Sequence, residues 1–120
     1  MKKIAVVVFG ILVSSMAHAA PNWQKLMDNE MGTMFLDKNS IQDTKAKNTR
    51  QADLLINYKD RSGIVSTVTV YEINCKTKKD RRVKVSDYEK SDAQGRLFGS
   101  TPLDESFEPA DPGMVKLICP

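Results

Sequence analysis

The chain has 120 residues, of which 41% are hydrophobic and 28% are charged, and its formal net charge is +3. This length predicts one domain with a single modest core. Two lysines near the N-terminus account for most of the net charge, because 16 basic and 15 acidic residues remain after position 19. A nearly neutral chain has no global attraction for nucleic acid, so we expect no nucleic-acid partner.

Residues 1–19 have the pattern of a secretory signal peptide. Two lysines precede an apolar run, Ile4 to Val13, and the segment ends in the small-x-small tripeptide Ala17-His18-Ala19. The run is too short to span a bilayer and continue as an anchor. We expect cleavage after Ala19, which leaves a domain of residues 20–120. No cysteine follows the run to carry a lipid, so we expect a periplasmic or secreted protein without a membrane anchor, and surface display stays open.

The only cysteines are Cys75 and Cys119. Exported proteins meet an oxidising compartment, and an even count of two allows one pairing. A disulfide closing a loop of about 45 residues removes roughly 4 kcal/mol of denatured-state entropy on the chain-entropy model. The alternative is a reactive thiol, since Cys75 stands directly before a run of cations that would lower its pKa. We predict the disulfide.

The first part of the domain has short apolar-polar alternations typical of strands. We predict a hairpin formed by Asn22–Met27 and Thr33–Asp37. Its predicted buried side consists of Trp23, Leu26, Met34 and Phe35. A tight turn at 38–41 and an exposed polar loop at 42–49 are expected to follow.

The middle of the chain carries the strongest strand pattern. Residues 50–59 alternate, with Ala52, Leu54, Ile56 and Tyr58 on one face. After a turn at Asp60–Gly63, the β-branched segment 64–75 predicts a central strand covered on both faces. Residues 76–80 then reverse the chain into a strand at 81–90.

The C-terminal part has weaker patterns. We predict one short strand at 96–98 and a loop from Gly99 to Gly113, because three prolines interrupt any ladder there. The apolar end, 114–119, is predicted as a final strand or a short helix. The expected fold is mainly β (α+β), with a single antiparallel sheet and a short C-terminal segment or helix tied to it by one disulfide.

The order of several residues resembles the surface-adhesin protein E family over essentially the whole domain. The resemblance rests on Trp23, the segment FLDKNSI (35–41), the strand end YEINC with Arg81 behind it, Tyr88, Gly95, Pro112-Gly113 and Cys119. It implies an antiparallel sheet with a disulfide-tied C-terminal helix, here shortened to about one turn or lost. It also implies Trp23, Asp37, Ser40 and Ile41 as framework, with Asp37 and Ser40 bonding their own turn.

The same resemblance implies a binding module rather than an enzyme. Its name-giving member is a dimeric outer-surface adhesin for host extracellular-matrix proteins such as vitronectin and laminin. We therefore expect a protein partner, which a host matrix protein would satisfy, and we keep a homodimer built on an unpaired edge strand as a further expectation. The alternative is a soluble periplasmic interaction protein, such as an envelope accessory factor or an inhibitor of a lytic enzyme.

Few residues of the domain are of the types that catalyse reactions or bind metals and cofactors. The single histidine, His18, lies in the predicted signal peptide, and no nucleotide-binding or hydrolase motif is present. We predict no catalytic residue, no cofactor and no metal.

One candidate site is a patch for an anionic partner at the 76–82 turn, and it consists of Lys76, Lys78, Lys79, Arg81 and Arg82. The alternative for this run is a solvated hairpin tip. The loop at 92–111 is either a binding segment or a mobile one.

Overall fold

A computed structural model describes residues 20–60 and 63–120. The predicted signal peptide and the centre of the predicted turn at Asp60–Gly63 lie outside the described residues. The elements in chain order are β1 Trp23–Asp28, β2 Gly32–Asp37, β3 Gln42–Asp43, β4 Thr49–Tyr58, β5 Ser66–Asn74, β6 Lys79–Lys90, β7 Gln94–Pro102, β8 Glu108–Pro109 and the helix α1 Pro112–Ile118. Short 3-10 turns, Lys38–Ser40 and Ser91–Ala93, follow β2 and β6.

The strands form one antiparallel sheet in the order β1-β2-β4-β5-β6-β7, with β3 added to β4 and β8 added to β6. The β-branched strand β5 lies between β4 and β6, and it pairs with β4 over its whole length, from Ser66 opposite Asn57 to Asn74 opposite Thr49. The predicted mainly β fold with a central β5 is therefore confirmed. In the described part of the chain, β1 and β7 are the outer strands, and the homodimer remains a prediction.

The core lies on the face of the sheet that α1 covers. Leu36, Leu54 and Ile118 are almost fully buried there, and Ala52 and Ile73 complete the cluster. Leu55 is also fully buried, but it points to the opposite face, where Phe35 and Val68 are its cross-strand neighbours. Both faces of β4 are therefore covered, although the sequence pattern of residues 50–59 predicts one apolar face.

The helix α1 is held to the sheet by three kinds of contact. The predicted disulfide joins Cys75 to Cys119 with 5.7 Å between their Cα atoms. Burial of the Ile118 side chain adds about 1.5–3 kcal/mol. The guanidinium of Arg50 on β4 donates to the carbonyl oxygen of Ile118 at 2.9 Å. A helix of seven residues is not stable alone in water, so these contacts hold it in place.

The helix is longer than the resemblance implies. It begins at Pro112 rather than after Gly113, and it makes about two turns instead of one or none. Asp111 is its N-cap, because the Asp111 carboxylate accepts from the backbone N–H groups of Gly113 and Met114 at 3.0 and 3.2 Å. Proline fits the first helical position, where no N–H donor is needed. The predicted short C-terminal helix is therefore confirmed, the alternative of a final strand is wrong, and the helix is longer than the single turn that the resemblance implies.

The predicted loop from Gly99 to Gly113 is also partly wrong. Strand β7 continues to Pro102, and β8 pairs with the start of β6. Pro102 is tolerated because it is the last residue of an outer strand, where one side of the backbone makes no ladder bonds. The predicted loop at 42–49 likewise contains the two-residue strand β3.

The prediction that Trp23, Leu26, Met34 and Phe35 share one buried side of the first hairpin is wrong. Trp23 lies opposite Asp37 and Lys25 lies opposite Phe35, so Trp23 and Phe35 share the face away from α1. Leu26 lies against the core on the other face, together with Met34, and an irregularity between Lys25 and Met27 brings Met27 opposite Met34. The fully buried residue of the hairpin is Leu36. Trp23 and Leu26 are three residues apart and Met34 and Phe35 are adjacent, so regular strand alternation already assigns the two members of each pair to opposite faces.

We expect the double variant Cys75→Ser, Cys119→Ser to lose about 4 kcal/mol of unfolding free energy, because the unfolded chain is released from a 44-residue cross-link. Urea denaturation of the oxidised protein and the variant measures the difference. A loss below about 1 kcal/mol would contradict a stabilising role for this disulfide.

Candidate functional site

An apolar cleft of about 540 Å³ lies between α1 and the sheet. Its size is within the range of ligand-binding clefts. The lining residues come from β1, β2, β4, β5, β6 and the helix, and they are Leu26, Met27, Met34, Leu54, Tyr71, Asp80, Asp111, Gly113, Met114 and Leu117. The cleft therefore exists only while α1 stays against the sheet.

Apolar side chains remain partly open to solvent at this cleft. Met27 on β1 is 50% exposed, and Leu117 on α1 is 40% exposed. Met114 lies one helical turn before Leu117, so both project on the same side of α1 toward the sheet. Contiguous exposed apolar surface of this kind typically marks an interaction site.

Three of the lining residues are methionines: Met27, Met34 and Met114. The methionine side chain is unbranched and polarisable, so it adapts to partners of different shape. Surfaces rich in methionine are typical of proteins that repack around a bound segment. The chemistry of the cleft therefore favours a flexible apolar contact over a fixed catalytic geometry.

One end of the cleft is acidic. Asp80 lies opposite Glu108 in the β6–β8 pair, and Asp111 caps the helix beside them. Partial burial, followed by the nearby carboxylates of Glu108, Asp111 and Glu105, raises the pKa of Asp80 above its ordinary range. The Asp80 carboxylate makes no hydrogen bond or ion pair with any described residue, and no described lysine or arginine lines the cleft. This end of the cleft has negative charge without a bound counter-charge.

A shallower hollow adjoins the acidic end and shares Tyr71 and Asp80 with it. Here Arg82 forms an ion pair with Glu105, and its hydrogen bonds hold the pKa of Glu105 below the ordinary range. Arg81 pairs with Glu72 at 2.8 Å and lies over the ring of Phe107 at 4.6 Å from its centre. These contacts fasten the segment after β7 onto β6.

The five predicted patch residues therefore separate into two groups. Arg81 and Arg82 are engaged in ion pairs with Glu72 and Glu105. Lys76, Lys78 and Lys79 are exposed and make no ion pair with the described residues. The turn that carries them is stabilised by Asn74, whose side-chain oxygen accepts from the backbone of Lys76 and Thr77.

The residues predicted as framework lie away from the cleft. The buried Asp37 carboxylate accepts from the N–H groups of Asn22 and Asn39 at 2.8 and 2.9 Å, which ties the start of β1 to the turn after β2. The Ser40 hydroxyl donates to the Asp37 carbonyl and accepts from the Asp53 N–H. Ile41 packs against the core, and Trp23 is half-buried. These contacts stabilise the part of the sheet where the neighbour of β4 changes from β2, beside residues 54–58, to β3, beside residues 50–51.

Sequence reasoning missed the cleft. Its residues are spread from Leu26 to Leu117, and only the fold brings them together. One signal was available: the sequence Asp-Pro-Gly before Met114 and Leu117 is the start pattern of a helix with an apolar side.

No grouping of three or more potential metal ligands occurs among residues 20–60 and 63–120. None of the helices in the described residues has the length and apolar character needed to cross a bilayer.

A family model described as surface-adhesin protein E matches residues 23–119. The match begins at the first residue of β1 and ends at the second cysteine of the disulfide, so it covers every strand and the helix. No curated protein matches the chain.

We expect Asp80→Asn to stabilise the fold by about 0.5 kcal/mol at pH 7, the size of one cross-strand charge contact. Because the pKa of Asp80 is raised in the folded state, the folded protein binds more protons than the unfolded chain between the ordinary aspartate pKa and the raised value. Stability therefore falls as pH rises through that window, and the variant removes this loss.

Urea denaturation at pH 7 and at pH 3 measures the effect. The variant is expected to exceed the parent protein at pH 7 and to match it at pH 3, where Asp80 is protonated in both states. The exposed acid Asp104 gives the matched control, Asp104→Asn, for which no such gain is expected. Equal effects of the two variants at pH 7 would refute a specific cost at Asp80.

Proposed function

The chain belongs to the surface-adhesin protein E family, and we propose that it is an exported, non-enzymatic module that binds another protein through the cleft between α1 and the sheet. The observation that carries the proposal is an apolar, methionine-lined cleft whose one end is acidic and without counter-charge.

The cleft chemistry defines the partner segment. Met27, Met114 and Leu117 offer apolar contact, and Asp80 with Asp111 offers negative charge at one end. A segment that carries a large apolar side chain next to a lysine or arginine satisfies both. Binding such a cation would also relieve the repulsion among the acids around Asp80.

The non-enzymatic part of the proposal rests on residue types. The single histidine lies at position 18, and both cysteines are joined in the disulfide. The cleft itself offers carboxylates, a tyrosine hydroxyl and thioethers, without a nucleophile paired to a base.

The proposed partner is a protein of the host extracellular matrix, with vitronectin and laminin as the first to test. The adhesin character of the family supports this choice. The second candidate is a soluble periplasmic interaction protein, an envelope accessory factor or an inhibitor of a lytic enzyme. It would use the same cleft and differs in where the protein resides, so location distinguishes the two.

We expect the variant Met27→Ser, Leu117→Ser to bind immobilised vitronectin or laminin about tenfold more weakly, since two apolar contacts of roughly 0.7 kcal/mol each are removed. Met27 is 50% exposed and Leu117 is 40% exposed, so replacing them costs less folding free energy than replacing a core side chain. The matched control is Met31→Ser, because Met31 is 66% exposed and lies outside the cleft. Equal binding by the parent protein and the cleft variant, or an equal loss in the control, would contradict the assignment.

Protease treatment of intact cells beside osmotic-shock release tests the location, with an immunoblot as the readout. We expect cleavage on intact cells, while a cytoplasmic marker stays uncut. Full protection together with release by osmotic shock would contradict surface display and assign the cleft to a periplasmic partner.

A further inference from the structure

Three segments that are distant in the sequence meet at the disulfide end of the molecule. They are the loop 44–49, the turn 75–79 and the C-terminal segment 112–120. The disulfide joins the turn to the C-terminal segment. The Cys75 N–H donates to the Asn48 carbonyl at 2.7 Å, which joins the turn to the loop. The Ala110 N–H, just before the C-terminal segment, donates to the Lys78 carbonyl at 3.0 Å and so joins the turn to that end of the chain.

These three segments carry six lysines and no aspartate or glutamate. All six are exposed, and none forms an ion pair with a described residue: Lys45, Lys47, Lys76, Lys78, Lys79 and Lys116. The nearest acid before the loop, Asp43, is paired with Arg50 at 3.0 Å. Cations are therefore concentrated here, although residues 20–120 carry 16 basic and 15 acidic residues. The acids that flank the other two segments, Asp80 and Asp111, line the cleft.

The surface between the lysines is concave on both sides of the disulfide. One shallow hollow is lined by Lys45, Lys47 and Arg50, and the other by Lys78 and Lys116. Cys75 and Pro120 line both hollows, so the two are continuous. The result is a strip of positive charge rather than a single enclosed site. We call these six lysines and the surface between them the lysine strip.

We propose that the lysine strip binds a linear sulfated polysaccharide. A chain with repeated sulfate groups can lie along the strip and meet several ammonium groups in succession, whereas a single small anion would meet only one or two. Lysine supplies point charges without fixed fork geometry, which suits a mobile polyanion. The binding free energy then comes from local field and the release of counterions, and it falls with salt.

The surroundings favour this polymer over an anionic bilayer. Membrane-surface binding gains from exposed apolar side chains next to the cations. The one large apolar side chain in the three described segments that is strongly exposed, Leu117, lines the cleft on the other side of α1. The apolar residues between the lysines, such as Pro112, Val115 and Pro120, are small or cyclic, and none of them offers a large exposed side chain for insertion into a bilayer.

The test compares three triple variants of the full chain on a heparin column and in calorimetry with a heparin oligosaccharide. The first, Lys45→Gln, Lys47→Gln, Lys116→Gln, changes only lysines outside the basic turn. The second, Lys76→Gln, Lys78→Gln, Lys79→Gln, changes the turn. The matched control, Lys25→Gln, Lys38→Gln, Lys84→Gln, removes the same charge from exposed positions elsewhere.

We expect both strip variants to elute at clearly lower salt than the parent protein and to bind the oligosaccharide at least tenfold more weakly. The control is expected to stay within twofold of the parent. If only the turn variant binds more weakly, the proposal of a site assembled from three segments is overturned. If the control loses as much affinity as the strip variants, binding depends on the net charge of the protein and not on the lysine strip. Stronger binding to vesicles of anionic phospholipid than to heparin would overturn the choice of polymer.

Discussion

The attachment of α1 to the sheet is the interaction on which both candidate surfaces of this protein depend. The helix has seven residues and does not persist alone, and the Cys75–Cys119 disulfide, the buried Ile118 side chain and the hydrogen bond from Arg50 hold it in position. Once held, the helix completes the core over Leu36 and Leu54. Without it, the cleft would lose one wall, and the C-terminal part of the lysine strip would separate from the turn.

The helix also separates two surfaces of opposite chemistry. On one side, Met114 and Leu117 form the wall of an apolar cleft with an acidic end. On the other side, Lys116 joins the lysines of the turn and of the loop before β4. A protein partner in the cleft and a polyanion on the strip would therefore contact different faces of one short helix. The two assignments are independent, because the variants that test one leave the residues of the other unchanged.

The sequence predicts the sheet and the disulfide well, for clear physical reasons. The β-branched run of β5 favours an extended chain covered on both faces, and a chain with two cysteines allows only one intramolecular pairing. Facing and edges are harder to predict. Both faces of the first hairpin carry apolar side chains, Trp23 and Phe35 on one and Leu26 and Met34 on the other. The outer position of β7 makes Pro102 acceptable in a strand. Of the candidate sites, the sequence indicates only the turn lysines Lys76, Lys78 and Lys79. The cleft and the rest of the lysine strip could not be predicted, because Leu26 and Leu117, or Lys45 and Lys116, become neighbours only through long-range pairing.

Hydrogen–deuterium exchange of the oxidised and the reduced protein tests most directly whether the disulfide holds α1 and, with it, both surfaces. We expect reduction to accelerate exchange in residues 112–119 and in the turn 75–79, while the amides of β4 and β5 stay protected. Unchanged protection of α1 after reduction would contradict this expectation, because the helix would then be held without the disulfide. Loss of protection throughout β4 and β5 would also contradict it, since the sheet would not be a scaffold independent of the helix.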